Sequence, residues 1–280
     1  MQNVAPLRAE PTSESEQISQ ALIGQPVTVE GGQKDRLFVQ TWDAYRGWID
    51  SRAVRMLEDD SIPYASSGAV AMIRELFVDV MREPNERAGI ITKVTIGAQL
   101  EVAKAGADWV ELKLPDGGSG FIRKQDARLV DKDIAQTIWL ASSIKLVETA
   151  RRFVGVPYLW GGTSPFGLDC SGFVQLVHLI HNITLLRDAS MQASDPRGVR
   201  VPKKDLRAGD LVFFGKGKES DTSSVKHVGM AIDSKEFIHC CGSQGVTITP
   251  LGDPYYSGIY WGARRLRLAT LDPGGGAPEE

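Results

Sequence analysis

The sequence predicts an α+β protein in which two small β-barrels precede a domain of helices packed on an antiparallel sheet. Three observations predict it. The first is an internal repeat: a shift of 73 positions aligns Pro11 with Pro84, Ile18 with Ile91, Gly24 with Gly97 and Gly47-Trp48-Ile49 with Gly120-Phe121-Ile122. Repeats of this length, made of short strand-like runs and turns with a closing Gly-aromatic-Ile, suggest two small barrels. The second is the spacing of Phe173, Val174, Leu176, Val177 and Ile180, which recur at three and four residues and mark one buried face of a helix. The third is the series of alternating segments downstream of it, which reads as a meander of strands.

In chain order, the barrels are expected at 1–57 and 67–130. Ser61-Ile62-Pro63 and Ser66-Ser67-Gly68 mark their junction, and Asp131-Lys132-Asp133 forms the next linker. The last domain spans 131–270. It opens with a helix near 141–154 that turns Ile144, Val147, Ala150 and Val154 inward. A loop containing Gly161, Gly162, Pro165 and Gly167 leads to the helix beginning at Cys170. Strands follow near 210–215, 227–232, 236–241, 245–250 and 259–267, an α+β layout. The tail 271–280 is rich in Gly, Pro and Glu and is expected to be disordered.

Composition excludes several classes. A net charge of −3 and a pI near 5.9 argue against a nucleic-acid partner. No run of about 18 apolar residues exists to span a membrane. Residues 1–20 are polar, carry two prolines and hold no secretory signal, which predicts a cytoplasmic protein, or a periplasmic or secreted one if a leader has been removed. Three cysteines, two of them adjacent, form no disulfide framework and lean toward a reducing compartment. A monomer is favoured, although the residues do not fix the oligomeric state.

The chemistry centres on Cys170. Asp169 reads as an N-cap and Cys170 as the first helical residue, where backbone N–H groups and the helix dipole favour thiolate over thiol. Two of the four histidines follow in alternating segments, Lys226–Ile232 and Glu236–Cys241, joined by the turn residues Asp233, Ser234 and Lys235. A three-residue loop sets Gly229 opposite His239 and makes His227 and His239 diagonal neighbours on one face. That arrangement yields a Cys–His–His relay in which His227 deprotonates Cys170 and His239 holds the ring and tautomer of His227. His178 and His181 read as packing or surface residues, and Cys240 and Cys241 as packing thiols. A zinc site from Cys170, His227, His239 and Cys241 matches no common ligand spacing, so neither metal nor organic cofactor is expected.

Tyr158-Leu159-Trp160-Gly161-Gly162, Asp169-Cys170-Ser171-Gly172-Phe173, Leu206 to Phe214, His227-Val228-Gly229-Met230 and Phe237-Ile238-His239 occur in that order. Together they resemble the NlpC-type cell-wall cysteine peptidases over roughly Ile144 to Leu268, and the resemblance implies a papain-like fold. The repeated barrels are similar to the bacterial SH3-like domains that accompany such peptidases. In that family the tyrosine at Tyr158 helps form the oxyanion hole and the position of Trp160 walls the substrate site; both residues also read as ordinary loop packing.

A subset of the family, with two SH3-like domains ahead of the peptidase, cuts the γ-D-glutamyl–diamino acid bond of short muropeptides with a free N-terminal L-alanine. The resemblance to it implies a cell-wall recycling enzyme that binds the alanine amine. Asp169 and Ser171, which flank the nucleophile, and Asp188 and Ser190 in Arg187-Asp188-Ala189-Ser190-Met191-Gln192 become pocket candidates, Asp169 equally a simple cap. Tyr45 is the match for a tyrosine lent by the first barrel, and Glu83 is a candidate carboxylate from the second. The alternatives are a wall-cutting DL-endopeptidase, an amidase or acyltransferase on another γ-glutamyl compound, and a non-catalytic wall-binding module. The diamino acid, meso-diaminopimelate or lysine, stays open.

Overall fold

The computed structural model describes residues 2–57, 63–132 and 143–267; Ser61, Ile62, Asp133 and the tail named above lie outside them. The first barrel has strands β1 (Val4–Arg8), β2 (Gln17–Leu22), β3 (Thr28–Gln33), β4 (Arg36–Gln40) and β5 (Arg46–Asp50), in the order β2-β1-β5-β4-β3. The second has β6 (Ala69–Ile73), β7 (Phe77–Met81), β8 (Ile90–Thr95), β9 (Gln99–Ala105), β10 (Trp109–Lys113), β11 (Ser119–Arg123) and β12 (Ala127–Asp131). Its sheet runs β12-β6-β9-β10-β11-β7-β8.

The 73-residue offset reappears strand for strand. β1, β2, β4 and β5 become β7, β8, β10 and β11 when moved on by that interval, and β3 falls within two residues of β9. The pairing order is the same in both, and β6 and β12 extend the second sheet at the β9 edge. The barrels are not independent: Ile23 of the first is part of the second barrel's core.

The remaining residues form α1 (Ser143–Arg151), β13 (Thr163–Ser164), β14 (Gly167–Leu168), α2 (Cys170–Ile180), α3 (Ala189–Ala193), β15 (Gly198–Arg200), β16 (Leu211–Gly215), β17 (Val225–Ala231), β18 (Glu236–Cys241), β19 (Gly245–Pro250), α4 (Pro254–Gly258) and β20 (Tyr260–Leu266). The main sheet is β15-β20-β16-β17-β18-β19, antiparallel at every pairing. α1 and α2 pack on one of its faces, where the Phe153 and Phe173 rings meet edge to face at 6.0 Å. Removing a buried aromatic of this kind costs about 3–5 kcal/mol.

Two expectations for α1 fail. Its buried positions are Leu146, Val147, Thr149 and Ala150, while Ile144 is 64% exposed and Val154 52% exposed. Ile144 lies more than 100° around the helix from the centre of that buried stripe at about 100° per residue. Val154 lies beyond the last helical turn. In α2, by contrast, burial exceeds the expected stripe. Every residue from Ser171 to His178 is buried, because the helix is sandwiched between the sheet and both barrels. Gln175 reaches Asp43 of the first barrel, and Ile96 of the second joins the same core. The middle of α2 therefore sits where all three units converge, with Gly97 of the second barrel against Leu176.

Candidate active site

Asp169 caps α2 as its residue type dictates: Oδ1 accepts from Gly172 N at 2.7 Å and from Ser171 Oγ at 3.1 Å. The preceding loop closes over this cap. Gly161 N donates to Asp169 Oδ2 at 3.0 Å, and Gly161 holds a left-handed φ of +71° with the Gln17 carbonyl of the first barrel only 2.6 Å from where a Cβ would stand. Only glycine fits there.

Cys170 Sγ lies against the backbone N–H groups of Ser171 and Val228. The expected fall in thiol pKa is not what this environment produces. Burial, reinforced by the Asp169 charge, outweighs those N–H groups and Arg187 and pushes Cys170 up to about 11. Burial pulls His227 down to about 4 against the opposing pull of Asp169. Both shifts favour the neutral thiol and the neutral imidazole over the ion pair.

The histidine arrangement follows the hairpin register. Met230 pairs with Ile238 and Ala231 with Phe237, the register that a three-residue loop predicts. The ladder goes no further: toward Val225, β17 leaves β18, which frees the Val228 N–H for the sulfur. His227 Nε2 and His239 Nδ1 are 2.8 Å apart with rings nearly perpendicular. Gly229 makes this possible, since a Cβ there would meet the Phe237 ring at 2.7 Å and His239 Cβ at 3.0 Å. His239 Nε2 in turn meets Thr249 Oγ1 at 2.9 Å, and the Tyr256 ring packs on both imidazoles. Thr249 and Tyr256 escaped sequence reasoning, although Thr249 shares the odd-numbered face of β19 with the residue paired to His239.

Beside the thiol lies a second polar cluster. Arg187, 1% exposed, makes two contacts to the Asp169 carboxylate, one of them at 3.0 Å, and donates to Ser171 Oγ at 3.0 Å and to Ser19 Oγ of the first barrel at 3.1 Å. Asp169 therefore accepts from five donors across both oxygens and has no lone pair in reserve. Of its two expected roles, the structure displays the cap. Asp188 is different: half-buried, it receives the Tyr45 hydroxyl at 3.3 and 3.4 Å, and burial raises its pKa despite Arg187. Burial and the Asp188 charge push Tyr45 up to about 12, so its phenol stays a donor.

The structure thus brings together Cys170, His227 and His239, and next to them Tyr158, Asp169, Ser171, Asp188 and Tyr45. Tyr158 is near Cys170, and burial followed by that thiol raises it to about 12. Ser190 is half-buried at the start of α3. Trp160 stands 60% exposed, its Nε1 donating to Glu16 at 2.5 Å and its carbonyl accepting from Gln17 at 2.9 Å. Glu83 is not brought in: it sits exposed in the β7–β8 turn of the second barrel, with no contact to this group. Arg187, Asp43 and Gln175, which knit the pocket to the first barrel, were not expected at the site.

A thiol at a helix tip beside paired imidazoles of an antiparallel sheet, with a barrel packed against that helix, is an arrangement suited to a cysteine hydrolase. Residues 155–265 match the NlpC/P60 family and residues 7–54 the bacterial dipeptidyl-peptidase Sh3 domain. The chain is 30% identical over 256 residues to the gamma-D-glutamyl-L-lysine dipeptidyl-peptidase of Bacillus cereus, covering 88% of this chain and 74% of that protein. It is 27% identical over 262 residues to dipeptidyl-peptidase 6 of Lysinibacillus sphaericus, covering 90% of each. The crystal structure of an NlpC/P60 family protein from Bacillus cereus superimposes with a TM-score of 0.83 at 26% identity, covering 94% of this chain and 97% of that one. The chain belongs to the NlpC/P60 family and is a peptidase-type hydrolase.

Proposed function

We propose that the protein hydrolyses the γ-D-glutamyl–diamino acid bond of short muropeptides whose N-terminal L-alanine carries a free amine, in cell-wall recycling. The observation that carries this reading is the Tyr45–Asp188 contact of 3.3 Å. It places a half-buried carboxylate under the first barrel, one residue from the arginine that braces the nucleophile's cap. A carboxylate so desolvated favours a cationic partner, and a peptide ammonium is one. The relatives named as dipeptidyl-peptidases support a substrate held by its amino end.

In the proposed reaction, Cys170 Sγ bonds to the γ-carbonyl carbon of D-glutamate while His227 takes the thiol proton. Tyr158 O–H and backbone N–H groups at the helix tip hold the oxyanion. His227 then gives its proton to the departing diamino-acid nitrogen. A water, deprotonated by His227, opens the thioester and releases L-Ala-γ-D-Glu. The first barrel roofs the amine pocket, which favours free peptides over wall polymer. All three cysteines are free thiols, in keeping with a cytoplasmic site of action; recovery of the protein in a periplasmic fraction would contradict it.

The test is cleavage of a free and an N-acetylated L-Ala-γ-D-Glu-diamino acid tripeptide, with Cys170→Ala as the inactive control. Acetylation is expected to lower kcat/KM by on the order of 10²–10³-fold, the scale of a lost buried charge partner. Equal cleavage of both peptides, or faster clearing of wall polymer than of tripeptide, would sink the recycling reading.

A further inference from the structure

We infer that Thr249 is a positioning residue that selects the catalytically competent tautomer of His227, acting through His239 along a four-member relay. The inference rests on the assignment of Cys170 and His227 as nucleophile and base, and adds to it the element that sets which nitrogen of the base is empty.

The hydrogen bonds themselves leave two consistent arrangements. His227 Nε2 faces His239 Nδ1 at 2.8 Å, and His239 Nε2 faces Thr249 Oγ1 at 2.9 Å. Burial of both rings favours the neutral form, in which each imidazole carries one proton. In the first arrangement Thr249 Oγ1 accepts from His239 Nε2–H, His239 Nδ1 accepts from His227 Nε2–H, and His227 Nδ1 is left bare to receive a proton from Cys170. In the second, every proton is reversed: the Thr249 hydroxyl donates, His239 carries its proton on Nδ1, and His227 carries its own on Nδ1. There His227 cannot act as a base toward the thiol. The state of His227 is therefore tied to what stands at position 249.

Burial makes the competent arrangement the one that depends on Thr249. His239 is wholly buried, so the proton it must then carry on Nε2 has no water to meet and relies on the Thr249 oxygen. Thr249 itself is half-buried on β19, directly opposite Phe237, whose ring stacks on His239 at 4.5 Å. An acceptor with no formal charge suits this place, because a carboxylate there would draw a second positive charge into the buried pair.

The test compares Thr249→Val, nearly the same shape without the oxygen, with Thr249→Ser, which restores it. In steady-state assays Thr249→Val is expected to lower kcat on the order of 10- to 100-fold, the scale of one orphaned buried N–H, with KM changed less than threefold, and Thr249→Ser to recover most of the loss. In a Cys170→Ala background, nitrogen chemical shifts of the two imidazoles report the tautomers without any turnover. His227 is expected to carry its proton on Nε2 with threonine or serine at 249, and to shift toward Nδ1 with valine. Unchanged tautomers in the valine variant overturn the inference whatever the rates do. Equal kcat for valine and threonine also overturns it. Should Cys170→Ala itself keep its activity, the nucleophile assignment fails while the tautomer measurement still judges Thr249.

Discussion

Asp169 and Asp188 are two carboxylates within one cluster, and their different partners divide their roles. Asp169 is filled by a helix cap, a loop N–H and a buried guanidinium, and removing one member of such a pair costs about 3–5 kcal/mol. Asp188 is met only by a phenol and a neighbouring positive charge. Asp188→Asn is therefore expected to raise KM for a free-amine tripeptide by on the order of 30- to 100-fold, with kcat held within about threefold, and to leave the thermal midpoint nearly unchanged. Steady-state kinetics beside a melting curve checks it; a loss confined to kcat would place Asp188 elsewhere in the mechanism. That Cys170, His227 and His239 come together was readable because each sits in a local pattern, a cap followed by a helix or an alternating strand. Arg187 was in plain view in its motif yet had no readable role. Its partners Ser19, Asp169 and Ser171 come from different stretches of chain, and no local pattern records that convergence.

Among elements, the β17–β18 hairpin carries the most information. Its register followed from loop length alone, because a one-residue slip would have turned one histidine to the far face. What the strand pattern did not reveal is that the ladder ends at Met230, so that the strand bearing His227 opens toward α2. Gly229 sits at that divergence. Gly229→Ala would drive a methyl group into Phe237 and His239 Cβ, displacing the second imidazole from the first. Activity is expected to fall at least tenfold, with stability reduced by about 1–3 kcal/mol. An alanine variant as active as the parent would show that the rings tolerate separation. α1 shows the limit of periodicity from the other side: Ile144 and Val154 continue an apolar spacing in the sequence, but the helix turns one away from the core and stops before the other.

At the scale of the whole molecule, the repeat was the most legible feature. An offset read from a few glycines and aromatics recurs in strand bounds and in pairing order. The mutual packing of the three units was not legible, since nothing local says that α2 will be covered on every side. That packing has a consequence for pH. All four histidines are held neutral by burial, with His178, His181 and His227 down to about 4 and His239 to about 3. In the unfolded chain they titrate near 6.5, so between those values the unfolded state binds more protons and stability falls as pH falls. His178 and His239, both fully buried, each contribute on the order of 3 kcal/mol that is complete above about pH 6.5 and is lost as pH falls through the folded value, about 4 for His178 and about 3 for His239. The urea midpoint is expected to drop steeply from pH 7 to pH 4.5, and a flat profile over that interval would count against these assignments.

The guanidinium of Arg187 ties Ser19 in the front module to the cap of the nucleophile helix in the rear one. Trimming away the front module would strip a hydroxyl from a cation sealed off from water and uncover the backbone that Gly161 is shaped to meet. The barrel is thus a piece of the cleft's masonry rather than a tether hung on a self-sufficient catalyst. Any lineage that exchanged it for another would have had to recut both sides of the joint together.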